Sequence, residues 1–193
     1  MDNQSLRNIL YKVIDSHTAA TAHYQIWFTL RNRALPDYFK TMNNQDYLDF
    51  FDASNSGSFK LMFIEIGNLF DSDLRSSSIS NLKKSLIEYG FLHFKDNIEN
   101  NLKLHSKLVH NIISIRNKLM AHKDIDADSD ALFEKHGIIP DEIKKLLFDL
   151  GLALQKIEHH INNDSSFTRV CLNNRFGDAT INLLKTLKKG SVS

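Results

Sequence analysis

The chain has 193 residues, a length that suits one domain and leaves enough material for a real core. Apolar residues make up 42% and charged residues 24%, the balance of a soluble globular protein, and only 7 Gly and 2 Pro leave few breakers, which favours long helices. Net charge is +1, so no global field advertises a nucleic-acid partner, and any such site must be a local patch.

No apolar run approaches the roughly 20 residues needed to span a bilayer, so no membrane partner is expected. Met1-Asp2-Asn3-Gln4 lacks the basic-then-apolar layout of a signal peptide. The lone cysteine, Cys171, excludes an internal disulfide framework and fits a reducing, cytoplasmic location.

Residues 4–34 read as a long first helix on Leu6, Leu10, Val13, Ile14, Ala20, Ile26, Phe28 and Leu30, with Pro36 as its stop. His17 and His23 lie on it and read as surface or rim histidines, with the lining of a groove as the functional alternative. A short helix is expected over 45–51, ended by the turn-rich residues 52–57. The apolar run from Phe59 to Phe70 should then be buried nearly all round, leaving Glu65 in need of a partner or an edge position. Residues 71–78 are a polar connector, and Ser78 is placed to cap a helix carrying Ile79, Leu82, Leu86 and Ile87.

After Gly90 the spacing of Leu104, Leu108, Ile112, Ile115 and Leu119 predicts one helix from Asp96 to Ala121. A short helix follows over 129–135, closed by Gly137. Pro140 opens the next helix, with Asp141 and Glu142 favourably set against its dipole. Its stripe runs through Ile143, Leu146, Leu147, Leu150, Leu154, Ile157 and Ile161 to Asn162. Residues 163–177 carry no readable pattern. Residues 178–189 look helical, and Lys185, Lys188 and Lys189 read as a solubilising end in preference to an RNA contact.

The fold expected is therefore all-α: an antiparallel bundle of about five main helices with short accessory helices at 45–51, 129–135 and 178–189. It forms one domain over 1–193, with 163–193 as a C-terminal extension. No metal or other cofactor is expected. His105 and His110 are five apart, His159 and His160 are adjacent, and no His-Glu-x-x-His occurs. Asp124, Asp126, Asp128 and Asp130 alternate like a calcium loop but lack its central glycine and terminal glutamate, so they read as a solvated turn.

Chemistry concentrates at the end of the helix reaching Ala121. At about 100° per residue, Arg116 falls roughly 70° to one side of the apolar stripe and His122 roughly 50° to the other. Asn117 sits beside Arg116. An arginine, an amide and an imidazole within seven residues supply an anion clamp, a hydrogen-bonding orienter and a group that titrates near neutrality. The structural alternative is an interior polar pair, Arg116 neutralising a carboxylate and His122 bonding a carbonyl at a helix end.

Arg116, Asn117 and His122 resemble the signature of the HEPN superfamily: an arginine, a polar residue and, four to six positions on, a histidine. Arg116-Asn117-Lys118 with Ala121-His122 and Asp124 looks like the abortive-infection, AbiU-like branch. The segment from Phe63 to Asp71 is also similar to that branch, as is the acidic turn running into Pro140-Asp141-Glu142-Ile143. The resemblance covers roughly residues 15–162. It implies a toxin–antitoxin or phage-defence protein that cuts RNA without a metal, in a cleft between two copies of the domain. It makes Arg116 and His122 the central pair and Asn117 their assistant.

Lys118 and Lys123 adjoin the pair and are candidate RNA-backbone contacts. Some HEPN toxins carry a tyrosine two residues after the histidine, which a partner enzyme modifies; here that position is Asp124, so a cognate antitoxin of another kind, or none, stays open. The reading from a different class is a non-catalytic helical module that binds RNA, a nucleotide or a protein partner.

Overall fold

The computed structural model describes residues 4–73, 76–121 and 129–190, with the side chains of residues 33, 118–121 and 129–132 outside that description. The architecture is an all-α bundle, and no strand occurs among the described residues. Its elements are α1 (Gln4–Phe28), α2 (Leu35–Met42), α3 (Leu48–Leu69), α4 (Ile79–Glu88), α5 (Leu92–Leu102), α6 (Ser106–Ala121), α7 (Ser129–His136), α8 (Pro140–Asn162) and α9 (Arg175–Gly190). None of the described helices is long and apolar enough to cross a membrane.

The core forms where apolar stripes meet. Leu6, Leu10, Val13 and Ile14 of α1 are fully buried, as are Met62, Phe63 and Ile66 of α3 and Ile143, Leu146, Leu150 and Leu154 of α8. An aromatic cluster joins three helices: Trp27 lies 5.3 Å from Phe133 edge-on, and Phe59 lies 5.1 Å from Phe63 and 5.7 Å from Phe133. Such tilted and edge-on pairs add to plain burial because ring edges meet negative ring faces.

Several expectations change. Pro36 does not end the first helical run. Residues Thr29–Arg33 relax into a π turn in which the Ala34 N–H donates to the Thr29 carbonyl at 2.8 Å. Proline then sits in the first turn of α2, where its missing N–H costs nothing.

Helix 45–51 and the turn at 52–57 are replaced by the single α3, which runs straight through the Ser, Asn and Gly residues. Phe51, Ser58 and Phe59 are all buried, so packing of that face outweighs the turn preference of the solvent side. Glu65 takes a half-buried edge position, and burial raises its carboxyl above the ordinary value. Ser78 does occupy the N-cap of α4 with extended backbone, but its hydroxyl makes no capping bond.

The helix expected over 96–121 is broken. A 3-10 turn at Lys103–His105 separates α5 from α6. Leu104, expected in the buried stripe, swings outward and is 82% exposed. His105 turns inward instead, and its Nε2 lies 2.8 Å from Asp149 Oδ2 on α8. His17 is not a rim histidine either. It is fully buried and hydrogen-bonds the Leu147 carbonyl through Nε2 at 2.8 Å.

The C-terminal extension is part of the packed fold. α9 spans 175–190, longer than the accessory helix expected at 178–189, and buries Leu184 with Leu30, Ala34, Met42 and Phe51 in a second cluster. Lys188 is no free end: it donates to the Asp37 carbonyl at 3.0 Å and lies over the Tyr38 ring. The irregular segment before α9 is pinned from outside. The fully buried Glu158 carboxylate accepts from Thr168 Oγ1 at 2.6 Å and from the Arg169 N–H at 3.1 Å. Gln25 of α1 donates to the Asn173 carbonyl at 2.7 Å and accepts from the Phe176 N–H at 3.0 Å.

Candidate active site

α6 is seated by Ile112 and Ile115, both fully buried against the core. Arg116, the next residue, therefore emerges at the edge of that face, and its side chain is 19% exposed. It lies across α3 at Gly67, where a Cβ would stand 2.2 Å from Arg116 Cδ and 3.0 Å from Nε. Only a residue without a side chain leaves that channel open.

Beyond Gly67 the guanidinium is fixed by two groups. Nε and Nη2 both donate to Asn117 Oδ1, at 3.2 and 3.1 Å, and Nη1 donates to Asp71 Oδ2 at 3.3 Å. Asp71 follows the end of α3, and its second oxygen accepts the Asp73 N–H at 2.9 Å. That backbone bond holds the Asp71 carboxyl below its ordinary range; burial is the main opposing effect, and Arg116's hydrogen bond and charge add to the lowering.

Of the five N–H donors of a guanidinium, three are engaged among the described residues, and the other two have no partner there and suit an incoming oxyanion. Asp71 and Asn117 hold the planar fork in one orientation before any ligand arrives. A preoriented guanidinium with spare donors at a partly exposed edge suits a phosphate diester, whose paired oxygens match the fork.

The structure thus places Arg116 and Asn117 together, as the sequence spacing suggested. α6 runs to Ala121, while His122 and Lys123 lie outside the described residues, as does the side chain of Lys118. The aspartates from 124 to 128 fall there too, along with the side chain of Asp130. Two contributors were missed, Gly67 and Asp71. Both lie in the Phe63–Asp71 segment, and the signal for Gly67 was present: an isolated glycine inside an apolar helical run marks a close approach. No cluster of three or more His, Cys, Asp or Glu side chains suited to a metal ion occurs among the described residues.

The family model for AbiU2 proteins of the HEPN type matches residues 4–183. This chain belongs to the HEPN AbiU2 family. No curated protein and no solved structure gives a significant match. The AbiU2 match reaches beyond residues 15–162 at both ends and takes in α1, the pinned segment and most of α9. The Gly67 channel and the Arg116–Asn117 pair both fall inside it.

Proposed function

We propose that this AbiU2 protein is a metal-independent endoribonuclease of a toxin–antitoxin or abortive-infection system, acting in the cytoplasm as a two-fold dimer. Membership of the HEPN family points to a ribonuclease or abortive-infection role. The observation that carries the reading is the Arg116 guanidinium, oriented by Asp71 and Asn117 with donors to spare.

In this reading Arg116 holds the scissile phosphate and stabilises the charge that builds in the transition state. His122 supplies the imidazole that exchanges protons, with the ribose 2′-OH or the leaving 5′-oxygen as its partner. The need for the 2′-OH makes RNA the substrate and leaves DNA uncut. Asn117 holds the guanidinium at rest and would orient the phosphate or the imidazole. Lys118 and Lys123 supply backbone-phosphate contacts.

Each chain offers one Arg116 and one His122, whereas cleavage uses both a proton acceptor and a donor. A symmetric dimer that joins two motifs duplicates the set. The competing reading is a non-catalytic module that binds RNA, a nucleotide or a protein partner. Expression toxicity separates the two. A nuclease loses its toxicity on His122→Ala, while a binding module keeps its phenotype.

A further inference from the structure

A cleft of about 520 Å³ opens between α1, α8 and residues 171–174, on elements that carry none of Arg116, Asn117 or Asp71. That volume suits a small organic ligand. Its wall on the 171–174 side exists because Gln25 and Glu158 pin an irregular segment in place, as described above. Glu158 forgoes all contact with water to do so, a desolvation that its hydrogen bonds must offset. The cleft is therefore preformed and is not a gap left by a loose loop.

Its lining divides in two. Leu147, Leu172 and Phe148 give apolar surface, and Phe148 keeps 47% of its area open to solvent. Lys144 and Lys145 stand one turn before Phe148 on the same helix. Lys145 is four residues after Asp141, yet neither lysine has a carboxylate within 4.0 Å among the described residues. Two unpaired ammonium groups against one Asp141 carboxylate leave the cleft net positive.

The floor adds a second, independent sign. Thr21 and Tyr24 line the cleft at 6% and 4% exposure, and the hydroxyl of each has no hydrogen-bond partner among the described residues. A buried hydroxyl left without a partner is costly, and a guest or bridging water that reached it would offset that cost. Burial and the nearby Asp141 charge hold the Tyr24 phenol protonated, so it is available as a donor.

We propose that this cleft binds a small organic anion with a planar apolar body, the anion on Lys144 and Lys145 and the planar body against Phe148 and Leu172. This site is separate from the proposed nuclease centre and does not depend on it.

The test uses the full chain and three probes in calorimetric titration: 1-naphthyl phosphate, 1-naphthol and inorganic phosphate. The expected result is one naphthyl phosphate per chain, bound at least ten-fold more tightly than either half-probe. Lys144→Ala/Lys145→Ala should weaken it at least ten-fold, Phe148→Ala should weaken it too, and Arg116→Ala should leave it unchanged. Thermal unfolding of each variant checks that the fold persists; the substituted lysines are exposed and Phe148 is half open. The proposal is overturned by the absence of saturable binding at millimolar probe. Unchanged affinity in the double lysine variant also overturns it, as does loss of binding on Arg116→Ala, which would place the probe in the nuclease centre.

Discussion

Gly67 on α3 and Arg116 on α6 occupy each other's space: a Cβ on the glycine would stand 2.2 Å from the arginine Cδ. The contact falls on the stem of the side chain, so the guanidinium cannot keep its place while the stem moves aside. Gly67→Ala gains about 1 kcal/mol of helix propensity and loses about 1–3 kcal/mol to overpacking, a net loss of at most about 2 kcal/mol. RNA cleavage should nevertheless fall at least ten-fold, with the thermal midpoint moving by only a few degrees. A variant that keeps full cleavage would show that the channel does not set the arginine.

Asp71→Asn should leave the fold intact, because a partly exposed ion pair contributes about 0–1 kcal/mol. The expected effect is on chemistry: a several-fold fall in kcat with a smaller change in KM, since the fork loses its orientation. The wild-type carboxyl sits below its ordinary 3.8, so the stability it contributes is present above that value and disappears as pH falls through the lowered one. Wild type should therefore be the more stable of the two above about pH 4, and the gap should close as pH falls below that value.

Much of this was legible from the chain. α8 begins at Pro140 and ends at Asn162 as its own residues signal, because cap, stripe and stop are all local. Arg116 and Asn117 were legible for the same reason, lying next to each other beside a regular apolar stripe. The break at Lys103–His105 was not, since Leu104 keeps perfect helical spacing and is turned outward only when His105 finds Asp149, 44 residues away. Residues 163–174 carry no pattern because Glu158 and Gln25 hold them from other elements. Asp71 joins the site through a contact 45 residues long, which no local spacing reports.

Glu158→Gln tests that pinning. Oε2 accepts from both the Thr168 hydroxyl and the Arg169 N–H, while Oε1 accepts a longer bond from the same N–H at 3.3 Å. An amide keeps one such oxygen and turns its buried N–H₂ toward the Arg169 N–H. A buried donor left without a partner costs about 1–3 kcal/mol. The thermal midpoint should drop by roughly 2–12 °C for a chain of this size. An unchanged midpoint would mean that the segment is held by its apolar contacts alone.

His17 gives the protein an acid sensitivity. Burial holds its pKa below 6.5, with the hydrogen bond to the Leu147 carbonyl opposing only in part. The unfolded chain takes up a proton near pH 6.5 where the folded chain does not, so stability is intact above 6.5 and declines as pH falls through the lowered value. His23 shifts in the same direction by burial. The thermal midpoint should fall between pH 7.5 and 5.5, and His17→Gln, which can still donate to Leu147, should fall less. Equal losses in both would assign the sensitivity elsewhere.

In the proposed reaction Arg116 and His122 cut RNA without a metal. The most direct measurement incubates purified wild type, Arg116→Ala and His122→Ala with single-stranded RNA, and with DNA of the same sequence, in excess EDTA. Wild type should cleave the RNA and leave the DNA whole, and His122→Ala should be slower by about 10²–10⁴, the usual contribution of a general acid or base. Arg116→Ala should be comparably impaired. RNA cleaved equally by wild type and His122→Ala, or left whole by wild type, would rule out this reaction.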